Sequence, residues 1–281
     1  MQALSVQAMA EPSLVSTDVH VAATGAGLRV DRKQMPYELS KGVGWRARIG
    51  LIVLSSDYTM EHEFSRMLAL PGVAVYHSRI ANDAQISADS LAAMRARVAT
   101  TCALLPPQGA LDVVVFGCTS GSMVIGAQAI RELIQGVHAD VLCTTPIEAV
   151  AAAFAALQVR QVALLTPYVD AINQQMREHL QSTGVHVPVM ASWNIDDDNT
   201  VASLSAPCIA QAVHELGAEA DVDAVFVSCT NVPLVAQLAD LEQAIGKPVI
   251  SSNSATAWHC LRLAGVADRV PGFGRLFDCA L

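Results

Sequence analysis

The chain is poor in aromatic residues (5%) and in charged ones (15%), although 52% of its 281 residues are hydrophobic. No uncharged apolar run reaches the roughly 18 residues that a membrane-spanning helix needs, so the apolar excess is expected inside a folded body. No basic stripe and no interleaving of aromatic with basic side chains occurs, and 17 basic against 26 acidic residues leave a net charge of −9. Nucleic acid is therefore not an expected partner. The N-terminus lacks a basic segment followed by an apolar core. Seven cysteines include no CxxC pair and no histidine at zinc-finger spacing. A reduced, cytoplasmic chain is expected. No GxGxxG follows an early apolar strand, which removes the usual dinucleotide signature.

What the chain does have is a rhythm of short apolar runs and amphipathic stretches. Residues 1–44 carry no sustained period and read as a flexible N-terminal arm. From Trp45 onward, strands are expected at 48–54, 73–78, 112–117, 141–143, 161–166, 187–192, 223–228 and 248–251. Helices are expected at 59–70, 88–105, 122–135, 146–157, 169–182, 207–217, 233–245 and 254–263. Ser87 is placed to cap the second of these, and Thr145-Pro146-Ile147-Glu148 is a capping box with proline in the first turn. Apolar runs this short, alternating with helices, predict an α/β fold whose parallel sheets are covered on both faces.

The pattern repeats within the chain. Asp112-Val-Val-Val-Phe-Gly-Cys118-Thr119 is echoed by Asp223-Ala-Val-Phe-Val-Ser-Cys229-Thr230, and the interval between the two cysteines is 111 residues. That interval suits a duplicated unit, giving two pseudo-symmetric Rossmann-like units with the active site in the cleft between them. Ligands of open parallel sheets gather beyond the carboxyl ends of the strands. Ser55-Ser56-Asp57, Cys118-Thr119-Ser120, Thr166-Pro167-Tyr168 and Cys229-Thr230-Asn231 all fall at such ends. Cys118 and Cys229 each stand at a strand-to-helix turn, where backbone N–H groups favour thiolate over thiol. Two unrelated structural cysteines are not expected on matching turns of a repeat, so the pair is read as catalytic. Cys102, Cys143, Cys208, Cys260 and Cys279 read as small hydrophobes. Glu61, His62 and Glu63 read as a solvated helix face, Asp196-Asp197-Asp198 as a solvated turn without metal, and His259-Cys260 as packing.

These motifs carry a resemblance. Gly50-Leu-Ile-Val-Leu-Ser-Ser-Asp-Tyr-Thr-Met-Glu61, Gly117-Cys-Thr-Ser-Gly-Ser122, Thr166-Pro-Tyr168, Asp198-Asn199, Ser228-Cys-Thr-Asn231 and Val270-Pro-Gly-Phe-Gly274 resemble the maleate cis–trans isomerase and arylmalonate decarboxylase group of the aspartate/glutamate racemase superfamily. Within it, the chain is especially similar to the ectoine-utilisation proteins. The resemblance implies an enzyme that needs no cofactor and no metal, acting on a small carboxylic or amino acid and assembling as a homodimer or higher homo-oligomer. It implies that Cys118 and Cys229 do the chemistry, and that Ser56, Asp57, Thr119, Ser120, Tyr168, Asn199, Thr230 and Asn231 bind substrate. It also implies a division into residues 45–144 plus 252–281 and residues 145–251. Maleate isomerases of the group carry Asn where this chain has Asp57, which favours an amino-bearing acid over a dicarboxylate. Two other functions stay open: an arylmalonate-type decarboxylase, which needs one cysteine only, and a non-catalytic small-molecule binding protein, expected to have no thiol of lowered pKa.

Overall fold

The computed structural model describes residues 30 and 32–281. Most of the expected N-terminal arm, residues 1–29 and 31, lies outside the described residues. Residues 32–42 are exposed and form neither helix nor strand, and residues 43–281 form one compact unit.

That unit contains two four-stranded sheets, parallel throughout. Strands β1 (Ala47–Leu54), β2 (Val73–Ile80), β3 (Val113–Gly117) and β4 (Leu142–Thr144) form the first, in the order β2-β1-β3-β4. Strands β5 (Gln161–Thr166), β6 (His186–Ser192), β7 (Ala224–Val227) and β8 (Val249–Ser251) form the second, in the corresponding order β6-β5-β7-β8. Every expected strand is present within two residues of its expected ends. The central strands β3 and β7 are buried along their whole length, as sheets covered on both faces require.

The repeat extends to the residues that set register. The side chain of Asp112 accepts a hydrogen bond from Arg48 N–H (2.7 Å), and that of Asp223 accepts from Arg160 and Gln161 N–H (2.8 Å each). The aspartate that opens each echoed motif thus fixes the start of its sheet's central strand. Both copies would otherwise leave strand-end N–H groups without a protein acceptor.

Helices depart from expectation where their sequences carry breakers. The stretch 122–135 is two helices, Thr119–Ile125 and Ala127–Gln135, because Gly126 at φ +89° breaks the turn. The 88–105 stretch divides into Ala88–Ala93, a 3₁₀ turn at Met94–Arg97, and Val98–Cys102. Ser87 does cap it, exchanging bonds with Ser90 in a capping box. A short helix, Asp198–Val201, was not expected. Helix Ser252–Leu263 begins right after β8, is buried along most of its length, and packs against helices Met60–Met67 and Pro146–Ala156 and against strands of both sheets. Gly117 is required where β3 passes beneath helix Met60–Met67, since a Cβ there would meet Met60 Sδ at 2.6 Å and Ile52 O at 2.9 Å. Among the described residues, no helix is long and apolar enough to cross a membrane.

Candidate active site

The exit turns of β3 and β7 lie side by side. Cys118 follows β3 and is the N-cap of helix Thr119–Ile125, with its sulfur accepting from Gly121 N–H (3.2 Å). A Cβ at position 121 would sit 2.9 Å from that sulfur, so glycine is what allows the contact. Cys229, one residue beyond Ser228 at the end of β7, has its sulfur 3.4 Å from Asn231 N. Its φ of +102° is rare for a residue with a side chain and costs on the order of 1–3 kcal/mol, so its surroundings must impose it.

Ser252 joins the two turns. Its hydroxyl oxygen accepts from Thr119 Oγ1 (2.8 Å) and from Cys229 N–H (3.1 Å), and the residue is fully buried. Ser252→Ala should therefore strand a buried N–H and a buried hydroxyl, at a cost of about 1–3 kcal/mol. Urea unfolding of the variant measures this, and an unchanged midpoint would show that the bridge does not contribute.

Both thiols line one cleft, together with Thr119, Ser120, Tyr168 and Thr230. These are six of the expected site residues. The opposite wall comes from the segment after β2: Asn82, Asp83 and Gln85 supply polar groups, and Ile86, Leu91 and Met94 an apolar surface. This segment reaches across to the second sheet's side. Ile86 N–H donates to Asp196 O (2.7 Å), Asp198 N–H donates to Ala84 O (2.9 Å), and Gln85 and Asp197 form an antiparallel bridge. These bonds draw the two walls of the cleft together. Its free interior is about 20 Å³, room for about one water.

The remaining expected residues stand elsewhere. Asn231 is wholly committed to the protein: its amide donates to Ser56 O (3.2 Å) and Asp198 O (2.9 Å), and its Oδ1 accepts from Tyr58 N–H (3.0 Å). It holds the walls together rather than facing the cleft. Ser56 is buried and bonds to the Asp198 carboxylate and to Asn82. Asp57 is buried behind them, with Oδ1 accepting from Thr59 and Met60 N–H (2.8 Å each) at the start of helix Met60–Met67. Asn199 is exposed and bonds to Asp197. The residue that enters the cleft from that turn is its neighbour, Asp198, which is buried and not part of a solvated turn.

Glu63 also differs from expectation. It is buried, not solvated, and accepts from Leu234 and Val235 N–H (2.8 Å each) and from Asn253 Nδ2 (2.7 Å). Asn253 in turn donates to Thr230 O (2.7 Å), so this acid braces the Cys229 turn from behind. Cys208, expected as a packed small hydrophobe, is exposed. His259 does pack, stacking on Trp258 and hydrogen-bonded to Thr144 (2.7 Å).

Electrostatics reverse one expectation outright. Burial pushes the Cys118 thiol up to about 12, with the Gly121 N–H offsetting part of the effect and nearby Asp198 and Asp57 adding to it. Burial and Asp198 likewise raise Cys229 well above an ordinary thiol. At both sulfurs desolvation outweighs the N–H groups at the turns and favours thiol over thiolate. Tyr168 is raised by burial and by both sulfurs, and its hydroxyl has no hydrogen-bond partner among the described residues. Among the described residues lining the cleft there is no lysine, arginine or histidine. No group of three or more His, Cys, Asp or Glu among the described residues is placed to hold a metal.

Comparison with known proteins agrees with this arrangement. The family profile "Arylmalonate decarboxylase" matches residues 49–277. A maleate isomerase from Nocardia farcinica is 28% identical over 82% of this chain and 94% of its own length. An arylmalonate decarboxylase from Bordetella bronchiseptica is 33% identical over 62% of this chain and 74% of its own. The solved structure of a Nocardia farcinica maleate cis–trans isomerase cysteine-to-serine mutant, with a covalently bound succinylcysteine intermediate, superposes with TM-score 0.75. It is 26% identical and covers 82% of this chain and 98% of that one.

Proposed function

The chain belongs to the arylmalonate decarboxylase family and is a maleate isomerase-like enzyme, and within that family we propose a cofactor-independent isomerase or racemase that uses Cys118 and Cys229 on a small carboxylic or amino acid. The observation that carries this reading is that two thiols on duplicated turns share one closed cleft and one bridging hydroxyl, Ser252. A decarboxylase that protonates its product needs a single cysteine and would not use the second turn.

The chemistry follows from placement. One sulfur, as thiolate, removes the proton on the carbon next to the substrate carboxylate. The other, as thiol, returns a proton to that carbon, and the carbon–hydrogen bond lost on one side is regained on the other. For an alkene, the thiolate instead adds to the double bond, the new single bond rotates, and the sulfur leaves again. Donors for the carboxylate are the hydroxyls of Ser120, Tyr168 and Thr230, while Thr119, whose hydroxyl donates to Ser252, holds the turn in place. Loop 82–86 must part from 196–198 to admit substrate, and its return excludes water from the carbanion. The split into residues 45–144 plus 252–281 and residues 145–251 would let these walls move as two bodies.

The reading is tested by incubating the protein in D₂O with amino acids, diaminobutyrate derivatives, maleate and arylmalonates. Deuterium gained next to the carboxylate without loss of CO₂, or conversion of maleate to its trans isomer, supports it, and the diaminobutyrate derivatives also test a place in ectoine catabolism. Loss of CO₂ from arylmalonates without exchange elsewhere would favour the decarboxylase. The raised thiols add a pH signature. The reactive thiolate is scarce at neutral pH, so kcat/KM should climb about tenfold per pH unit from pH 7 to at least 9. A flat profile across that range would mean that thiolate formation is not needed. Alkylation at neutral pH, by contrast, would not separate enzyme from binding protein, since both would show sluggish thiols.

A further inference from the structure

The cleft offers neutral donors yet contains buried acid and, among its described lining residues, no base. Asp198 is 5% exposed, lines the cleft, and stands near both sulfurs. Ser56 donates to its Oδ2, and its backbone is clamped from two sides, by Ala84 O and by the Asn231 amide. Its position is therefore fixed and not a matter of a mobile side chain. Among the described residues no ion pair reaches it. Asp83 lines the same wall. Tyr168, buried to 1% exposure, leaves its hydroxyl unpartnered in the same space.

Burial raises the Asp198 carboxyl above the ordinary carboxylate range, with Ser56 and Asn231 offsetting part of the effect, so its ionised form is favoured where a ligand brings a cation against it. A dicarboxylate substrate would place a second negative charge against this acid with no counter-ion in the wall. A ligand with one carboxylate and one ammonium would satisfy both ends of the cleft.

We infer that Asp198 sets substrate class by pairing with an ammonium group on the same small molecule whose carboxylate meets the Cys118 and Cys229 turns. The inference deepens the proposed function and rests on it for where the carboxylate sits. The ammonium also supplies a positive charge, which none of the cleft's described lining residues carries. An ammonium beside Asp198 cancels the charge that opposes ionisation of both thiols, so the correct substrate helps to generate its own thiolate. A maleate-like dianion would do the opposite.

The test is equilibrium binding, by calorimetry, of 2-aminobutyrate and 2,4-diaminobutyrate against butyrate, succinate and maleate. The wild-type protein is expected to bind an amino ligand at least ~10-fold more tightly than butyrate or maleate, the scale of a charge pair held in a partly desolvated site. Asp198→Asn keeps an acceptor for Ser56 and should erase that preference, losing at least ~10-fold for amino ligands and gaining for maleate. A wild-type protein that binds no amino ligand more tightly than its deaminated counterpart overturns the inference, whether or not the variant folds. So does a folded Asp198→Asn protein that weakens every ligand equally. Binding is read without turnover, which separates the two readings. Wild-type preference for amino ligands, with racemisation or isomerisation surviving in both single-cysteine variants, would sink the two-cysteine chemistry and keep the charge assignment.

Discussion

Replacing Cys118 or Cys229 by alanine is expected to lower kcat by at least ~10²-fold, the scale of losing a positioned proton-transfer group or nucleophile. The double variant should be little worse than either single one, because the two sulfurs act on opposite sides of one event. A structural role would give a different signature. Cys118 and Cys229 are 4% and 7% exposed, so truncation of either also removes packing. Cys229→Gly separates the effects. At φ +102° glycine relieves the strain that cysteine carries, which offsets the lost thiol contacts. That variant should melt within a few degrees of wild type and still fail to racemise or isomerise its substrate. Full racemisation or isomerisation by Cys229→Gly would remove Cys229 from the chemistry and leave a one-cysteine mechanism.

The strands were legible because a sheet buried on both faces leaves a run of β-branched and aliphatic residues that little else explains. The duplication was legible because Asp112 and Asp223 perform the same hydrogen bonding at the same point of each sheet. Cys118, Thr119, Cys229 and Thr230 follow from that repeat, since matching turns meet in one cleft. The other wall was not legible. Asn82, Asp83 and Gln85 belong to a loop with no periodic pattern, and only tertiary pairing with residues 196–198 brings them to the site. Asp198 was hidden inside a run of three aspartates that read as solvated, and Glu63 inside a charged helix turn. In both cases polarity suggested exposure, while the partners that permit burial lie far away in sequence: Ser56 for Asp198, and Leu234, Val235 and Asn253 for Glu63. Thiol ionisation was misjudged for a related reason. The turn's N–H groups can be read locally, but the desolvation that overrides them comes from the closed cleft as a whole.

Asp57→Asn is expected to stabilise the protein at neutral and alkaline pH and to leave it unchanged in acid. Burial raises the Asp57 carboxyl from 3.8 to about 6, despite the two N–H groups of Thr59 and Met60 that hold its Oδ1. The folded state therefore binds this proton more tightly than the unfolded chain. Folding gains fully from that proton below the unfolded pKa near 4, and the gain is lost as pH rises through the folded value near 6. Above pH 7 the folded protein holds a buried carboxylate, at a cost on the order of 3 kcal/mol relative to acid. Asparagine keeps the Oδ1 acceptor for both N–H groups and cannot ionise, and its amide can find the Thr230 side chain nearby. Urea unfolding of both proteins should show the variant more stable by about 1–3 kcal/mol at pH 8, with the difference vanishing near pH 4. Glu63, raised to about 7 by burial and in part by the Asp57 charge, titrates in the same direction, so removing Asp57 also eases its ionisation and adds to the difference in the same sense. Substrate preference should scarcely change, because Asp57 lies behind the wall that Asp198 and Thr230 present to the cleft. A variant less stable at pH 8 would mean that Asp57 is ionised and paired in the native protein. A large shift in ligand preference would move the charge-reading role from Asp198 to Asp57.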